Sequence, residues 1–416
     1  MKNARYYPWL VVALLWLVAL LNYLDRQMLS TMRRAIQADI HELESATNFG
    51  RLMAVFLWIY GLMSPLSGLA ADRFNRKWLI TGSLFVWSAV TLLMGYADDF
   101  WQLYTLRAIM GVSEALYIPA ALSLIADYHT GSTRSLAVGI HMTGLYMGQA
   151  LGGFGATIAA AASWQATFHW FGLVGIVYAA VLMLLLHEKR PEYPAGPLQQ
   201  TRKPLSGGLR GLLKLLPFWV IFLYFSIPSI PGWAIKNWLP TLFAGSLDVP
   251  MSEAGPLATI TIAASSLIGV VSGGLLSDRW VQHNVRGRVY TSAIGLSLTI
   301  PALLFLGLGG SVAFLVAAAF FFGAGFGMFD ANNMPILCQF VSPRNRATAY
   351  GIMNMGGVFS GALITGWLGR STDAGNLGRD FALMSVVILA AVVMLLVMLK
   401  PKVKDYQDES ADVRSV

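Results

Sequence analysis

The chain has 416 residues, of which 56% are hydrophobic and only 12% are charged, and its net charge is +8. Soluble domains carry about 25% charged residues, so this composition argues against a soluble globular protein. Long apolar runs recur along the chain and predict an all-α membrane protein that crosses the bilayer several times. The single cysteine, Cys338, excludes an intrachain disulfide. The first apolar run ends in NYLDR and not in a small-residue cleavage site, so we expect no cleavable signal peptide.

The apolar runs fall into two sets of six. The first set is Trp9–Leu24, Leu52–Ala71, Leu79–Tyr96, Trp101–Ala126, Leu136–Ala160 and Thr167–Leu186. The second set is Phe218–Phe243, Ala254–Leu276, Val289–Leu308, Val312–Leu337, Ala347–Leu368 and Phe381–Leu399. Between them, Glu188–Lys214 is rich in proline, glycine and basic residues, which is typical of a linker. We predict about twelve transmembrane helices, in bundles at 1–187 and 216–400, with a linker at 188–215 and a tail at 401–416.

Basic residues are concentrated in alternate loops, and this pattern predicts the orientation of the helices. They precede the first run, follow the second, fourth, eighth and tenth runs, and fill the linker, whereas the loops after the third and seventh runs are acidic. The positive-inside rule therefore places both termini and the linker in the cytoplasm, with the chain in a bacterial-type inner membrane. Arg33 and Arg34, expected in the first outer loop, depart from the rule.

Two motifs occur once in each half of the chain. GLAADRFNRK (Gly68–Lys77) matches GLLSDRW (Gly274–Trp280), and RSLAVGIHMTG (Arg134–Gly144) matches RATAYGIMNMG (Arg346–Gly356). Such a duplication is typical of transporters whose site lies at the midplane between the halves. We expect the glycine of the first motif to allow close helix approach, its aspartate to cap a following helix, and its basic residues to bridge to neighbouring helix ends. The residues to which we assign this gating role are Gly68, Asp72, Arg73, Arg76, Lys77, Gly274, Asp278 and Arg279.

The fourth apolar run carries two charged residues, Arg107 and Glu114. A charge in the hydrocarbon region costs about 2.5–3.5 kcal/mol on insertion scales, so the default interpretation of such residues is functional. Their spacing places both on one helix face about 10 Å apart, which is too far for a direct bond. Each is expected to contact another helix or a ligand, and a structural ion pair between helices is the alternative.

Charged residues also occur in two other apolar runs. Asp25 and Arg26 close the first run, where either the helix continues past them or they reach the outer water interface. Adjacent helical residues project about 100° apart, so we expect one of the two to face a central cavity. Lys236, between Pro231 and Pro240, either lies near a broken-helix site or is a snorkelling residue at the outer rim.

The remaining polar residues of the apolar runs are less specific. Asp330, Asn332 and Asn333 either line the inner end of a cavity or bond to adjacent helices. His141 and His169 are interpreted as polar packing residues. The sequence contains no phosphate-loop motif, which leaves an ATP-driven pump unsupported, and no Cys/His cluster with metal-ligand spacing.

The repeated motifs resemble those of the major facilitator superfamily, and the resemblance covers the whole chain. Several stretches are similar to the anion:cation symporters, which include sugar-acid symporters and the sialin and vesicular glutamate carriers. They are NYLDR at Asn22–Arg26, WIYG around Tyr60, the pair Arg107 and Glu114, and NWLPTLF at Asn237–Phe243. This resemblance implies a rocker-switch fold that works without a cofactor.

The resemblance also implies roles for single residues. It makes Asp25 and Glu114 the proton-coupling residues. It gives a substrate-binding set in which the arginines hold the carboxylate and Lys236 stands where vesicular carriers have an arginine; that set is Arg26, Tyr60, Arg107, Lys236 and Asn354. Asn75 departs from the usual glycine of the family. With FVWSAVT, GVSEA and LIAD, it is similar to the Spinster branch of lipid transporters.

Together these features predict a proton-coupled symporter that carries an organic anion, such as a hexonate or hexuronate, inward by alternating access. The expected partners are the organic anion, protons and the lipid bilayer, and we expect a monomer without enzyme activity, metal, cofactor or nucleic-acid partner. Two alternatives remain. One is a Spinster-like carrier of lysolipids or sphingolipids, with an apolar, laterally open cavity. The other is a sensor that keeps the fold without turnover, against which the short linker and tail argue.

Overall fold

The structure is a computed structural model that describes residues 6–129, 133–188, 213–214, 216–341 and 346–403, apart from the side chains of residues 69, 72, 73, 134, 135 and 347. The helices of the first half are α1 Tyr7–Ile36, α2 Ala46–Arg73, α3 Arg76–Met94, α4 Phe100–Ala115, α5 Tyr117–Tyr128, α6 Arg134–Gly152, α7 Gly155–Ala161 and α8 Trp164–Leu185. Those of the second half are α9 Leu216–Leu247, α10 Met251–His283, α11 Gly287–Leu308, α12 Val312–Asp330, α13 Asn333–Cys338, α14 Arg346–Asp373 and α15 Leu377–Met398. A 3₁₀ turn, His41–Glu44, joins α1 to α2.

The all-α prediction is confirmed, and each predicted span coincides with one helix or with an interrupted pair. Within the described part, ten helical segments are long and apolar enough to cross a membrane. The other two predicted spans correspond to α6 with α7 and to α14. The second of these, α14, packs along α2 and α9, so much of its surface contacts protein. The predicted linker and tail lie almost wholly outside the described residues.

Proline interrupts two of the long spans. Pro119 has no N–H to donate to the carbonyl of Ala115, the last residue of α4. Pro335 stands in the same relation to Ala331, where α12 gives way to α13. Interrupted helices at membrane depth occur where the backbone lines a cavity or site.

The first helix is longer than the sequence predicted. Its apolar run ends at Leu24, but α1 continues to Ile36. Asp25 and Arg26 therefore lie inside the helix, and the interpretation that places them at the outer water interface is wrong. The apolar run underestimates the helix because these two charges are stabilised by other helices, which hydropathy along the chain does not register.

The end of α1 also corrects the predicted first loop. Arg33 and Arg34 form the last helical turn and are not in a loop. The Arg33 guanidinium donates to the carbonyls of Leu43 at 3.1 Å and Glu44 at 2.5 Å. Cations at a helix C-terminus are stabilised by the helix dipole, which accounts for basic residues at this position.

The two halves meet along α2 and α14, which run antiparallel to each other. We call the end of the bundle where α1 ends and α2 begins the far face, and the opposite end, where α1 begins, the terminal face. At the far face, the Asp373 carboxylate of α14 accepts hydrogen bonds from the N–H groups of Ala46 at 2.7 Å and Thr47 at 2.8 Å. It also accepts from the hydroxyls of Ser45 at 2.9 Å and Thr47 at 2.7 Å. The N-terminus of α2 is thus capped by a carboxylate from the other half.

A second contact closes the far face between α10 and the α6–α7 segment. The Thr157 hydroxyl donates to the carbonyl of Ser252 at 2.8 Å, and the Thr259 hydroxyl donates to the carbonyl of Ala150 at 3.0 Å. These bonds, like those of Asp373, join the two halves of the chain.

The glycines of the repeated motif do not make the close approach expected of them. A Cβ at Gly68 or Gly274 would meet no heavy atom within 4 Å in the described part of the chain. The close contact is made elsewhere, on α6. A Cβ at Gly148 would lie 2.2 Å from the carbonyl oxygen of Leu20, so α6 and α1 pack backbone against backbone.

Asn75 caps the N-terminus of α3. The Asn75 side chain accepts a hydrogen bond from the Trp78 N–H at 3.3 Å. The side chains of Asp72 and Arg73, to which a capping and bridging role was assigned, lie outside the described residues. Asparagine is a strong N-cap residue, so this departure from the family pattern has a local structural reason.

Arg76, a basic residue of the first motif, reaches neighbouring helix ends, whereas Lys77 contacts the next residue of its own helix. Arg76 forms an ion pair with Asp127 near the end of α5, and its N–H donates to Glu188 at 3.3 Å. The Lys77 ammonium lies 5.6 Å from the ring centre of Trp78. In the second copy of the motif, Asp278 and Arg279 are exposed.

Candidate functional site

The buried charges of α1 and α4 meet inside the first bundle. The Arg26 Nε donates to Glu114 Oε2 at 2.5 Å, and Glu114 is 0% exposed. Arg107, on the same face of α4, is 3% exposed and does not reach Glu114 within 4.0 Å. Glu114 therefore has its partner on another helix, as the spacing along α4 requires.

Arg107 is a buried cation without an anionic partner among the described residues. Its Nη1 donates to Met110 Sδ at 3.2 Å, and its guanidinium lies 4.6 Å from the ring centre of Phe56. Its Nε has no hydrogen-bond partner, and no carboxylate of the described residues lies within 4.0 Å of it. Of the two buried guanidiniums, Arg26 is thus paired with the Glu114 carboxylate, whereas Arg107 is a cation in a low-dielectric region with no carboxylate of the described residues in ion-pair distance.

Aromatic rings surround the Arg26 guanidinium. Its central carbon lies 5.0 Å from the ring centre of Tyr23, 4.9 Å from Phe56 and 4.7 Å from Tyr60. Its Nη2 is buried without a hydrogen-bond partner among the described residues. Cation–π contacts stabilise a guanidinium without using its N–H groups, so Arg26 keeps donors available for an anion.

Asp25 faces a different neighbour from Arg26. It is 5% exposed, and its Oδ2 accepts a hydrogen bond from the Thr91 hydroxyl of α3 at 3.3 Å. Adjacent residues of a helix project about 100° apart, which separates the two charges. Of the two, Arg26 points to Glu114 and Asp25 packs between α1 and α3.

A cavity lies between the two halves, beside this charge cluster. Its void measures about 610 Å³, open side included. Its polar lining includes Tyr23, Tyr146 and Gln149 from the first half and Lys236, Ser266 and Asp330 from the second. Apolar side chains such as Phe326 cover much of the remainder.

The predicted substrate-binding residues are divided between this cavity and its surroundings. Lys236 lines the cavity, so the outer-rim interpretation of this residue is wrong. Arg26 lies behind the ring of Tyr23, which separates it from the void. The Asn354 amide donates to the Ser64 hydroxyl at 3.0 Å, a bond between α14 and α2.

The two charged residues of the cavity wall, Lys236 and Asp330, have few partners in the described part of the chain. The Lys236 ammonium lies 5.0 Å from the ring centre of Trp233, with no described carboxylate within 4.0 Å. Asp330 is exposed to the cavity and accepts one hydrogen bond, from the Asn333 amide at 3.0 Å. Both side chains are therefore accessible to a bound molecule.

Tyr23 and Tyr146 are cavity residues that sequence reasoning did not select. Tyr23 stands inside NYLDR, two residues before Asp25, and its place in the cavity wall follows only from the side-chain geometry. The two histidines interpreted as packing residues lie against aromatic rings. The ring centres of His141 and Tyr117 are 6.0 Å apart, and those of His169 and Tyr96 are 4.2 Å apart.

Apolar spanning helices, two halves joined at one face and a cavity with buried charges between them define a membrane transporter. The chain belongs to the Major Facilitator Superfamily, whose family model matches residues 15–365. It is a multi-pass membrane protein and, like the proteins of this kind, a transporter and not an enzyme.

Relatives of two kinds match the chain. It is 29% identical to human "Protein spinster homolog 1" over 367 residues, which are 82% of this chain and 68% of the relative. It is 26% identical to the "Probable galactarate/D-glucarate transporter GarP" of Escherichia coli over 435 residues, 94% of this chain and 96% of the relative. A crystal structure of a bacterial homologue of the human lysosomal transporter Spinster, in an inward-facing and occupied conformation, superimposes with a TM-score of 0.80 at 19% identity, covering 97% of this chain and 99% of the other. At that identity the structural match establishes the fold alone.

Proposed function

We propose that the protein is a proton-coupled symporter that carries a sugar acid, such as a hexonate or hexuronate, into the cell by alternating access. The observation that carries the proposal is that Arg107 is a buried guanidinium with no carboxylate of the described residues within 4.0 Å, beside the buried pair of Arg26 and Glu114. An unpaired buried cation favours an anionic ligand, and arginine suits a carboxylate through bidentate hydrogen bonds.

Substrate binding begins at the cavity wall. The Lys236 ammonium has no carboxylate partner within 4.0 Å among the described residues and attracts the anion to the cavity. A shift of the Tyr23 ring then brings the anion within reach of the Arg26 donors. Arg107, whose guanidinium contacts the same Phe56 ring as that of Arg26, completes the positive region.

Proton coupling follows from the shared arginine. When the substrate carboxylate takes the Arg26 donors, Glu114 loses its partner in a site that excludes water. A buried carboxylate without a partner is strongly unfavourable, so Glu114 takes up a proton. Substrate and proton are then bound together, and Asp25 is the second carboxylate available for proton transfer in the same region.

Alternating access uses the contacts between the halves. We assign residues 1–187 and 216–400 to the rocking bundles, with both termini and the linker in the cytoplasm of a bacterial-type inner membrane. The far face is then the outer face, held closed in this structure by Asp373 and by the bonds of Thr157 and Thr259. Opening to the outside requires these bonds to break.

The test of the proposed function is uptake by purified protein in proteoliposomes. The panel contains labelled hexonates, hexuronates and hexarates, with an inward proton gradient and with the gradient collapsed by an ionophore. We expect saturable accumulation of at least one sugar acid that depends on the gradient. Uptake that is the same with and without the gradient would rule out proton coupling. If none of the sugar acids is taken up, the proposed substrate class is wrong.

A lysolipid is the second candidate, favoured by the apolar part of the cavity wall. Leu145, Ile235, Ile262, Phe322 and Phe326 line it. These side chains suit an acyl chain better than a polyol, and relatives of the Spinster type match the chain as well. Labelled lysolipids in the same proteoliposome panel decide between the two substrate classes.

A further inference from the structure

Asp330 places a negative charge inside a cavity proposed to bind an anion. Its carboxylate is exposed to the void and accepts one hydrogen bond, from Asn333 at 3.0 Å. Lys236, the cation of the same wall, is not within ion-pair distance of it. Glu114, by contrast, is fully buried and bound to Arg26. Asp330 is therefore the carboxylate that a bound molecule meets directly.

The charges of the site balance before any ligand binds. Three cations and three carboxylates lie in the cavity wall and the cluster behind it: Arg26, Arg107, Lys236, Asp25, Glu114 and Asp330. A singly charged acid that enters with one proton keeps the sum at zero. A doubly charged acid with one proton leaves an uncompensated negative charge, which is costly where water is excluded.

We propose that Asp330 is a specificity-determining residue that selects singly charged sugar acids and rejects those with a carboxylate at both ends, an inference that rests on the proposed function. With one end of the substrate held at the cations, the other end meets Asp330. A terminal hydroxyl donates a hydrogen bond to this carboxylate. A second carboxylate can donate none and is repelled by it.

The experiment compares acids that differ at one terminal carbon. Competition against labelled hexonate uptake in proteoliposomes is measured for two pairs, D-gluconate with D-glucarate and D-galactonate with D-galactarate. In the wild type we expect the hexonate of a pair to compete at least about tenfold better than the hexarate. Asp330→Asn keeps an acceptor for the hydroxyl and removes the charge. It should reduce this preference about tenfold, mainly through stronger competition by the hexarate.

Asp248→Asn is the matched control, because Asp248 is an exposed aspartate outside the cavity with a φ of 51°, which asparagine tolerates. The control should keep the wild-type preference. Asp330→Ser provides a second way to remove the charge if the asparagine variant does not fold. Equal competition by both acids in the wild type, or an unchanged preference in a folded Asp330 variant, overturns the inference and leaves the proposed function standing. A wild type that takes up no hexonate, hexuronate or hexarate overturns both, so the two failures are distinguishable.

Discussion

Arg107 and Arg26 differ in the partners that their guanidiniums have before an anion binds. Arg26 already holds Glu114, whereas the Arg107 guanidinium has only a sulfur atom and an aromatic ring as close partners in the described part. In a region without water, an unpaired cation is a strong reason for an anionic ligand to bind. Arg107 is therefore the residue whose loss should affect binding most directly.

Arg107→Ala should abolish substrate binding, because removing one partner of a buried charge pair costs roughly 3–5 kcal/mol. Arg107→Lys should restore little of it, since lysine lacks the planar fork of the guanidinium. Binding is measured by ligand-induced thermal stabilisation of the purified protein. Arg34→Ala, a change at an exposed arginine of the far face, is the control and should bind normally. Normal binding by Arg107→Ala would make Arg107 structural.

Glu114→Gln should lose accumulation driven by a pH gradient and keep counterflow exchange. The substitution keeps the shape of a protonated carboxyl and removes the charge that is fully buried in the wild type. Exchange requires no net proton movement, so it separates coupling from substrate binding. Both activities are measured in the same vesicles after the variant has been shown to be folded.

A structural glutamate would give another pattern, in which stability, binding and both transport modes fall together. The alternative of a purely structural ion pair between α1 and α4 predicts that result. Undiminished proton-driven accumulation in Glu114→Gln would instead move the coupling role to Asp25.

For single residues, the sequence indicates which are unusual in an apolar run but not which of them contact each other in the fold. Arg107 and Glu114 stand out because charges in an apolar run are rare. That Glu114 bonds Arg26, and that Tyr23 separates Arg26 from the cavity, depends on the rotation of α1 against α4. Periodicity within one helix carries no information about that rotation.

The contact of α14 with the start of α2 acts as a latch at the far face. One carboxylate, Asp373, accepts hydrogen bonds from two backbone N–H groups and two hydroxyls of residues 45–47. Helix caps contribute about 0.5–2 kcal/mol each. Because the donors and the acceptor belong to different halves, this free energy favours the state in which the far face is closed.

Asp373→Asn should shift the protein towards opening at the far face, because asparagine has one acceptor oxygen where the carboxylate has two and carries no charge. A loss of about 1–2 kcal/mol changes the ratio of closed to open states about 5- to 30-fold. The readout is labelling of a cysteine placed at Ala150, whose carbonyl accepts from Thr259 across the interface. The background carries Cys338→Ser, and a membrane-impermeant thiol reagent is added from the far-face side.

The labelling rate should rise in Asp373→Asn and stay unchanged in Asp248→Asn, which removes an exposed charge near the same face. An unchanged rate in folded Asp373→Asn would mean that the other contacts between the halves hold the far face closed without this carboxylate.

Element boundaries were predictable where they depend on local chemistry and not where they depend on packing. Every apolar run became a helix or an interrupted pair of helices. The extra length of α1 beyond Leu24 and the close packing of α6 at Gly148 depend on contacts with other helices. The interruption at Ala115 was readable in principle, because proline removes a donor at a fixed distance along the chain.

At the scale of the whole molecule, the duplication of the fold is not matched by its chemistry. The alignment of the two repeats places Phe326 at the position of Glu114. Phe326 lines the cavity, and its ring stacks on that of Phe322 with the ring centres 5.7 Å apart. The first half thus carries the buried ion pair, while the second contributes an apolar wall with Lys236 and Asp330. Two halves with the same fold but unlike charges are suited to a division of roles, in which the first half takes up the proton and the second selects the substrate.

The orientation of this asymmetric pair in the membrane decides which face admits the substrate, and the basic loops predict it. Residues of the terminal face include Arg76, Arg286 and Arg288, whereas Asp98, Asp99 and Asp248 lie in the loops of the far face. Because positive loops stay in the cytoplasm, a fluorescent reporter fused after Val403 should be active there. A reporter that requires export, fused after Asp248, should be active outside the cell. The same reporter fused after Leu308, where α11 ends at the far face, is an independent control. It should give the same result as the fusion after Asp248. The opposite activities would invert the assignment, make Asp373 an inner latch and reverse the direction in which the closed far face blocks the substrate.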